Sequence, residues 1–220
     1  MADRSPGGIY VLAGCNGAGK SSIAGEALRN AGIDLYDPDR VAREIVARHE
    51  VSQASANAMA WEGGRRLLER AIDGRGTFAF ETTLGGTTIT ALLEHAIANG
   101  IAVHVWYIGL ASVELHVERV RRRVAKGGHD IPLDMIRRRY AAGPRNLVAL
   151  LPGLRELYLF DNSRDGDPDT GQAPSPQLIV HARDRRIVAP RNVRGLMTKT
   201  PQWAKPIVAA SLALHLRQKM

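Results

Sequence analysis

The chain has few cysteines, few aromatic residues and no long apolar run, which are features that mark common protein classes. Its 220 residues include a single cysteine, Cys15, which excludes an internal disulfide framework and suits a reducing, cytoplasmic compartment. No apolar run approaches the roughly 20 residues that a membrane-spanning helix needs, so we expect neither a signal peptide nor a membrane partner. Aromatic residues make up only 5% of the chain, and no stacking platform for nucleic-acid bases is evident.

Charge, in contrast, is plentiful and unbalanced, with a formal net charge of +8. Such an excess is expected of a nucleic-acid-binding protein, or of an enzyme that binds ATP together with a second anionic substrate. The basic residues concentrate in residues 119–139 and again in residues 183–205. The first stretch is where a kinase would hold phosphate groups, whereas the second is expected to be a solvated periphery.

A phosphate-binding loop stands near the start of the chain. Gly14, Gly19, Lys20 and Ser21 fit the pattern G-x-x-x-x-G-K-[ST], between a predicted buried strand at residues 9–13 and a predicted helix at residues 20–30. Glycines let backbone N–H groups wrap a polyphosphate closely, and the helix N-terminus adds partial positive charge. The residues expected to bind the nucleotide are Gly14, Cys15, Asn16, Gly17, Ala18, Gly19, Lys20, Ser21 and Ser22.

Two of these residues have specific expected roles. Lys20 is expected to reach the β- and γ-phosphates, and the Ser21 hydroxyl is expected to hold Mg²⁺. The sequence therefore predicts a protein that binds ATP or GTP together with Mg²⁺. The loop alone does not distinguish an ATPase, a GTPase and a kinase.

Acidic residues follow the second and third predicted strands, residues 33–37 and 77–80. Because ligands collect beyond the carboxyl ends of strands in open α/β sheets, Asp37, Asp39 and Glu81 are expected to face the triphosphate. Asp39 is the candidate catalytic base, and Asp37 could touch a Mg²⁺-bound water. The alternative is that Asp37-Pro38-Asp39 only caps a helix.

Glu81, Thr82 and Thr83 are candidates for binding a polar acceptor substrate, because they stand where a hydrophobic strand gives way to two glycines. The alternative is that the two threonines are ordinary turn residues.

The basic segment at 119–139 predicts a lid hinged at Gly127-Gly128. Arginine side chains stabilise the charge that spreads over a transferring phosphoryl group, and a lid would bring them in after the substrate binds. The candidate catalytic arginines are Arg119, Arg123, Arg138 and Arg139.

The alternation of strands and helices predicts an α/β fold with a doubly wound, mostly parallel sheet. A helix at residues 54–72 is expected to turn Met59, Leu67, Leu68 and Ala71 inward. A flexible loop at residues 164–177, a hairpin made of 178–181 and 187–189, and a terminal helix are expected to follow. We predict a kinase core at 1–163 and a C-terminal segment at 164–220 packed on the same domain.

Five segments in this order resemble the zeta-toxin family of P-loop kinases. They are residues 14–22, Asp37-Pro38-Asp39, residues 80–84, residues 127–132 and residues 136–140. The resemblance implies an ATP- or GTP-dependent phosphotransferase of a toxin–antitoxin system. Characterised members phosphorylate the 3′-hydroxyl of UDP-N-acetylglucosamine, and an antitoxin protein blocks their nucleotide site.

By this resemblance Asp39 would be the base, Glu81 and the threonines after it would contact the sugar nucleotide, and the lid cations would fall within 119–139. Gly85 and His129 depart from the family pattern in the acceptor and lid regions. Three alternatives stay open: a kinase for another small molecule, a nucleic-acid-associated ATPase, and a nucleotide-binding module without turnover.

Overall fold

A computed structural model of the chain describes residues 7–20, 34–164 and 176–218, which form one seven-stranded sheet. The strand order is β2-β3-β1-β4-β5-β6-β7. The first five pair in parallel, and β6 and β7 add an antiparallel hairpin. The predicted fold class is therefore confirmed. The strands are β1 Gly8–Ala13, β2 Leu35–Tyr36, β3 Phe78–Thr82, β4 Ala102–Gly109, β5 Glu156–Asp161, β6 Gln177–Arg183 and β7 Arg186–Ala189.

In the described part of the chain, the first five helices lie between parallel strands and the last two follow β7. They are α1 Pro38–Arg48, α2 Gln53–Asp73, α3 Thr87–Ala98, α4 Val113–Val124, α5 Leu133–Leu150, α6 Leu196–Lys199 and α7 Lys205–Arg217, with short 3-10 turns at Leu151–Gly153 and Gln202–Ala204. The helix predicted at residues 20–30 lies outside the described residues beyond Lys20, as does most of the loop predicted at 164–177. None of the described helices is both long and apolar enough to cross a membrane.

The central strands are apolar because they lie inside the sheet. Ile9, Val11, Val103 and Val105 are fully buried in one hydrophobic core, which also contains residues of α2, α3, α5 and α7. At the end of β4, the ring of Trp203 packs over Gly109, where a Cβ atom would come within 2.4 Å of the ring. The C-terminal segment therefore shares the core of the sheet.

The prediction for the inner face of α2 is wrong in part. Leu68 is buried, but the side chains of Met59 and Leu67 are 53% and 38% exposed. The inner face carries small residues instead, since Ala56 and Ala60 pack with Ala42 of α1. Tyr36 lies so close to Gly64 that a Cβ atom there would come within 2.7 Å of its ring. This close packing fixes α1 beside α2 and so positions the start of α1.

Candidate active site

The phosphate loop follows β1 directly and needs its glycines. Gly14 has φ of +145°, and a Cβ atom there would lie 2.2 Å from the carbonyl oxygen of Ile108 in β4. Gly17 has φ of +80°, and a Cβ atom would lie 2.8 Å from the carbonyl oxygen of His116. Side chains at either position would push the loop away from its neighbours. Ser21 and Ser22, the predicted Mg²⁺ and nucleotide ligands at the end of the loop, lie outside the described residues.

Buried polar side chains hold the loop from outside. Nδ1 of His116 lies 2.8 Å from the carbonyl oxygen of Asn16, and Nδ2 of Asn162 donates to the carbonyl oxygen of Ala18 at 2.9 Å. Burial lowers the pKa of His116 to about 4, so the ring is neutral near pH 7 and its Nδ1–H can donate to Asn16. Neither residue has a role in the sequence prediction. The available signal for His116 was its place on α4 beside the apolar side chains of Val113, Val117 and Val120, where a polar residue is unexpected.

Cys15 is packed against α4 and α5. Its thiol is buried with Val120 and Ile136 and lies 3.6 Å from the carbonyl oxygen of Ile136. Burial raises the pKa of this thiol. Cys15 is therefore a small packing residue of the loop.

The ammonium group of Lys20 contacts both the phosphate loop and Glu81. Its Nζ donates to the carbonyl oxygen of Gly14 at 2.9 Å and lies 3.3 Å from Oε1 of Glu81. Both side chains are largely buried, with 7% and 15% exposure. Glu81 at the end of β3 thus faces the phosphate loop, as the strand-end argument predicts.

Asp37 and Asp39 occupy the first turn of α1 but make different contacts. Asp37 is the N-cap, and its Oδ1 accepts a hydrogen bond from the backbone N–H of Asp39 at 2.9 Å. Oδ2 of Asp39 lies 3.7 Å from Nη1 of Arg123. Helix capping thus accounts for one oxygen of Asp37, whereas the carboxylate of Asp39 is available to a substrate.

A cavity of about 530 Å³ joins these groups, and we call it the central cavity. It lies between the phosphate loop, the starts of α1 and α3, and one side each of α2 and α5. Its lining residues are Asn16, Lys20, Asp37, Pro38, Asp39, Asn57, Ala58, Trp61, Glu81, Thr82, Thr83, Gly85, Gly86, Thr88, Ile89, His129, Ile131, Pro132, Met135 and Arg139.

The two predicted substrate-binding threonines also line the central cavity. Their hydroxyl oxygens accept hydrogen bonds from backbone N–H groups two residues on, Thr82 from Leu84 at 3.1 Å and Thr83 from Gly85 at 3.4 Å. Each side chain thus stabilises the turn after β3 while its hydroxyl hydrogen can still be donated. The turn role and a substrate role are compatible here.

Of the four candidate arginines, Arg139 lies in the central cavity. Its Nη1 donates to Oδ1 of Asn16 at 2.8 Å, and its side chain packs over Gly85, where a Cβ atom would lie 2.7 Å from Cγ of the arginine. Burial lowers its pKa. Arg138 points elsewhere: it pairs with Asp134 at 2.6 Å and is 73% exposed.

The other two arginines line a separate basic cleft, of about 520 Å³, formed by Arg43, Arg119, Arg122, Arg123, Lys126, Gly127 and Gly128. Arg119 donates to the carbonyl oxygen of Arg164 at 3.1 Å, and Arg123 donates to that of His129 at 2.8 Å. Arg123 also contacts Asp39, so the cleft adjoins the acidic edge of the central cavity.

The described residues include no group of three or more histidine, cysteine, aspartate or glutamate side chains arranged to hold a metal ion. Mg²⁺ in a nucleotide site is held largely by phosphates and water, with one or two protein oxygens. The carboxylate of Asp37, which lines the cavity, offers the hard oxygen chemistry that this ion prefers. The residues present therefore fit a nucleotide-bound Mg²⁺.

Two sequence comparisons relate this chain to known proteins. The sequence profile of the zeta-toxin family matches residues 2–152. An uncharacterised protein of Haemophilus influenzae is 33% identical over 127 residues, which cover 58% of this chain and 88% of that protein.

Two solved structures share the fold. A crystal structure of AvrRxo1-ORF1 with AvrRxo1-ORF2 and ATP has a TM-score of 0.60 at 16% identity, covering 91% of this chain and 66% of that one. A chain of the PezAT toxin–antitoxin system of Streptococcus pneumoniae has a TM-score of 0.51 at 13% identity, covering 80% and 72%.

Proposed function

Since the chain belongs to the zeta-toxin family and is a phosphotransferase of the P-loop kinase class, we propose that it transfers the γ-phosphoryl group of ATP to a hydroxyl group of a small molecule. The observation that carries the proposal is the lining of one cavity by Lys20, Asp39 and Glu81. The lysine comes from the phosphate loop. Asp39 follows β2, and Glu81 stands at the end of β3. Donor and acceptor would therefore meet within this cavity.

In the proposed reaction, Lys20 exchanges its contact with Glu81 for the β- and γ-phosphates of the bound nucleotide. The acceptor oxygen attacks the γ-phosphorus, the bond to the β–γ bridging oxygen breaks, and ADP leaves. The carboxylate of Asp39 takes the hydroxyl proton. Arg139, already hydrogen-bonded to Asn16, stabilises the charge on the transferring group, and Arg123 could join it if the lid closes at Gly127-Gly128.

Mg²⁺ is part of the proposal, with Ser21 as its ligand and Asp37 touching it through water. Bound to the nucleotide, the ion neutralises phosphate charge and orients the γ-phosphoryl group. Asp37 supports this role because one of its oxygens caps α1, which fixes the carboxylate at the cavity edge.

The acceptor implied by the family resemblance is UDP-N-acetylglucosamine, with Glu81, Thr82 and Thr83 as contacts. A different small-molecule hydroxyl compound is the alternative. A nucleic-acid-associated ATPase is less favoured, because aromatic residues make up only 5% of the chain and no stacking platform for bases is evident. ATP is the proposed donor because the similar AvrRxo1 structure contains it, and GTP is the alternative.

An antitoxin protein is a proposed partner. The support is that the fold is shared with a chain of the PezAT toxin–antitoxin system and with AvrRxo1-ORF1, which was crystallised with AvrRxo1-ORF2. Such a partner would act by covering the nucleotide end of the central cavity.

The test combines a product assay with a base variant. The protein is incubated with Mg-ATP and UDP-N-acetylglucosamine, then with a metabolite extract, and phosphorylated products are sought by mass spectrometry. Asp39→Asn should lower the turnover of any acceptor by about 10²–10⁴-fold while ATP binding is kept. Asp34→Asn, an exposed carboxylate outside the central cavity, is the control. Near-normal turnover by Asp39→Asn would contradict the assigned base.

A further inference from the structure

The basic cleft adjoins the candidate catalytic base, yet only one of its side chains has a part in the proposed reaction. None of the described residues that line it carries a carboxylate, and five of them are cations: Arg43, Arg119, Arg122, Arg123 and Lys126. Cations gathered in one concave surface repel each other and raise the local concentration of anions. The cleft therefore fits an anionic ligand.

Two of these cations are not neutralised by the protein. The side chains of Arg43 and Lys126 are exposed, and neither has a carboxylate within ion-pair distance among the described residues. Arg122, in contrast, pairs with Glu118 one turn earlier in α4. Arg43 belongs to α1 and Lys126 to the turn after α4, so an anion in the cleft can be held from two sides.

Arg123 connects the cleft to the candidate base. Its Nη1 lies 3.7 Å from Oδ2 of Asp39, and its Nη2 donates to the carbonyl oxygen of His129 at 2.8 Å. Its Nε is buried without a hydrogen-bond partner in the described part of the chain, so the protein does not use all of its donors. Arg43 stands four residues after Asp39, on the same side of α1. A molecule whose hydroxyl group reaches Asp39 therefore has the cleft beside it.

The phosphates of the donor have cations of their own. Lys20 belongs to the phosphate loop, and Arg139 donates to Oδ1 of Asn16 in that loop at 2.8 Å. Within the described part of the chain, the central cavity and the basic cleft have no lining residue in common. In phosphoryl transfer the attacking and leaving oxygens lie roughly in line, so the body of the acceptor extends away from the donor phosphates. The cleft is thus better placed for anionic groups of the acceptor.

We propose that the basic cleft binds phosphate groups of the acceptor and that Arg43 and Lys126 hold them. The ligand is a phosphate or diphosphate group attached to the hydroxyl compound, as in a sugar nucleotide. This inference rests on the proposed kinase function and adds a binding site to it. The hydroxyl group meets Asp39 in the central cavity, while the phosphates of the same molecule lie in the cleft.

A nucleic acid is another source of phosphate, but the cleft suits it less well. The described lining residues include no aromatic side chain on which a base could stack. The volume of about 520 Å³ is that of a site for a small molecule. The phosphates of a small acceptor are therefore the favoured ligand.

The first test measures anion binding without turnover. The protein is saturated with Mg²⁺ and a non-hydrolysable ATP analogue, which fills the phosphate loop, and inorganic pyrophosphate is titrated in by calorimetry. Arg43→Gln and Lys126→Gln should each weaken pyrophosphate binding about tenfold, because each removes a charged hydrogen-bond donor. Arg40→Gln and Arg121→Gln, at exposed positions of α1 and α4 outside the cleft, are the matched controls and should change it less than about twofold.

Three results of this titration would overturn the inference. Displacement of the ATP analogue by pyrophosphate would assign the cleft to the donor. Absence of binding, or equal weakening by all four variants, would show that the cleft holds no phosphate. Tighter binding of a single-stranded oligonucleotide than of pyrophosphate, weakened by the same two variants, would assign the cleft to nucleic acid. The roles of Lys20 and Asp39 do not depend on these results, so the kinase function would stand.

The second test compares an acceptor that carries phosphates with one that lacks them. UDP-N-acetylglucosamine and N-acetylglucosamine are each incubated with Mg-ATP, and product formation is followed by mass spectrometry. Arg43→Gln and Lys126→Gln should raise KM for UDP-N-acetylglucosamine about tenfold and leave its kcat and the KM for ATP within about twofold. N-acetylglucosamine should be an equally poor acceptor for all of the proteins.

The failure of the inference can be told apart from that of the kinase function. A raised KM for ATP in the two variants would place their cations at the donor, and equal losses with both acceptors would contradict a phosphate site; either result leaves the kinase function intact. If the unaltered protein binds ATP and pyrophosphate but phosphorylates neither acceptor nor any compound of a metabolite extract, the kinase function is overturned, and the acceptor site with it.

Discussion

The ion pair between Lys20 and Glu81 leads to an unusual prediction, because removing the Glu81 charge from the site should tighten nucleotide binding. In the proposed reaction Lys20 exchanges Glu81 for the phosphates, so part of the free energy of the pair opposes ATP binding. In Glu81→Gln the carboxylate charge is removed, while the ammonium keeps its 2.9 Å hydrogen bond to the carbonyl oxygen of Gly14.

The size of the effect follows from the geometry. At the observed separation of 3.3 Å, the gross Coulomb attraction is roughly 5 kcal/mol for an effective dielectric constant of about 20. Desolvation of the two largely buried groups offsets most of this, which leaves a net value of about 1–2 kcal/mol. ATP should therefore bind Glu81→Gln about 5- to 30-fold more tightly.

The assay is calorimetric titration with a non-hydrolysable ATP analogue and Mg²⁺ in the absence of an acceptor. Asp34→Asn is the control, because it removes an exposed carboxylate that does not line the central cavity. We expect it to tighten binding less than about threefold. Unchanged or weaker binding by Glu81→Gln would refute the argument. Equal tightening in both variants would mean that general repulsion between carboxylates and the triphosphate, rather than the ion pair with Lys20, opposes binding.

Two further predictions concern His116 and Arg139. Burial lowers the pKa of His116 from 6.5 to about 4, so the unfolded chain binds a proton there before the folded one does as the pH falls. The free energy of unfolding should thus drop by up to about 3 kcal/mol between pH 7 and pH 4. Urea denaturation at several pH values should show a smaller drop for His116→Gln than for the unaltered protein. The same dependence of unfolding free energy on pH in both proteins would contradict this. In steady-state kinetics, Arg139→Gln should lower kcat about 10²–10³-fold. The control is Arg137→Gln, at an exposed position of the same helix, which should change kcat by less than about threefold.

The sequence predicts the donor part of this site well because a phosphate loop is local. Its glycines, its lysine and its preceding strand are consecutive, and the acidic residues follow strands whose carboxyl ends meet at one sheet edge. The family resemblance is confirmed by the profile match to residues 2–152. The sheet with its C-terminal hairpin and helix is likewise confirmed.

Helix faces were harder to predict, for a reason visible in α2. A search for large apolar residues selects Met59 and Leu67, but the neighbouring helix packs so closely that only small residues fit between the two. Ala56 and Ala60 therefore form the part of the inner face that meets α1, while Leu68 and Ile72 are buried further along α2. Small residues carry almost no hydrophobic signal, so the tight contact cannot be recognised from periodicity alone.

The roles of the arginines in residues 119–139 were equally hard to predict from the sequence. Three consecutive arginines precede Tyr140, and each could contact a phosphate on the evidence of its charge. The phase of α5 separates them, since Arg139 packs over Gly85 at the cavity while Arg138 turns to Asp134 and to solvent. That phase depends on how α5 packs against the core, and the core is formed by residues distant in sequence.

The part of the cavity away from the phosphate loop could not be predicted from sequence motifs, because it too depends on how helices pack. Trp61, Gly86 and Met135 belong to three different helices, and only the packing of these helices brings them to one wall. Trp61 and Met135 belong neither to the phosphate loop nor to the strand ends that carry Asp39 and Glu81. Substitution on this wall can consequently change the acceptor while Lys20, Asp39 and Glu81 keep the same chemistry.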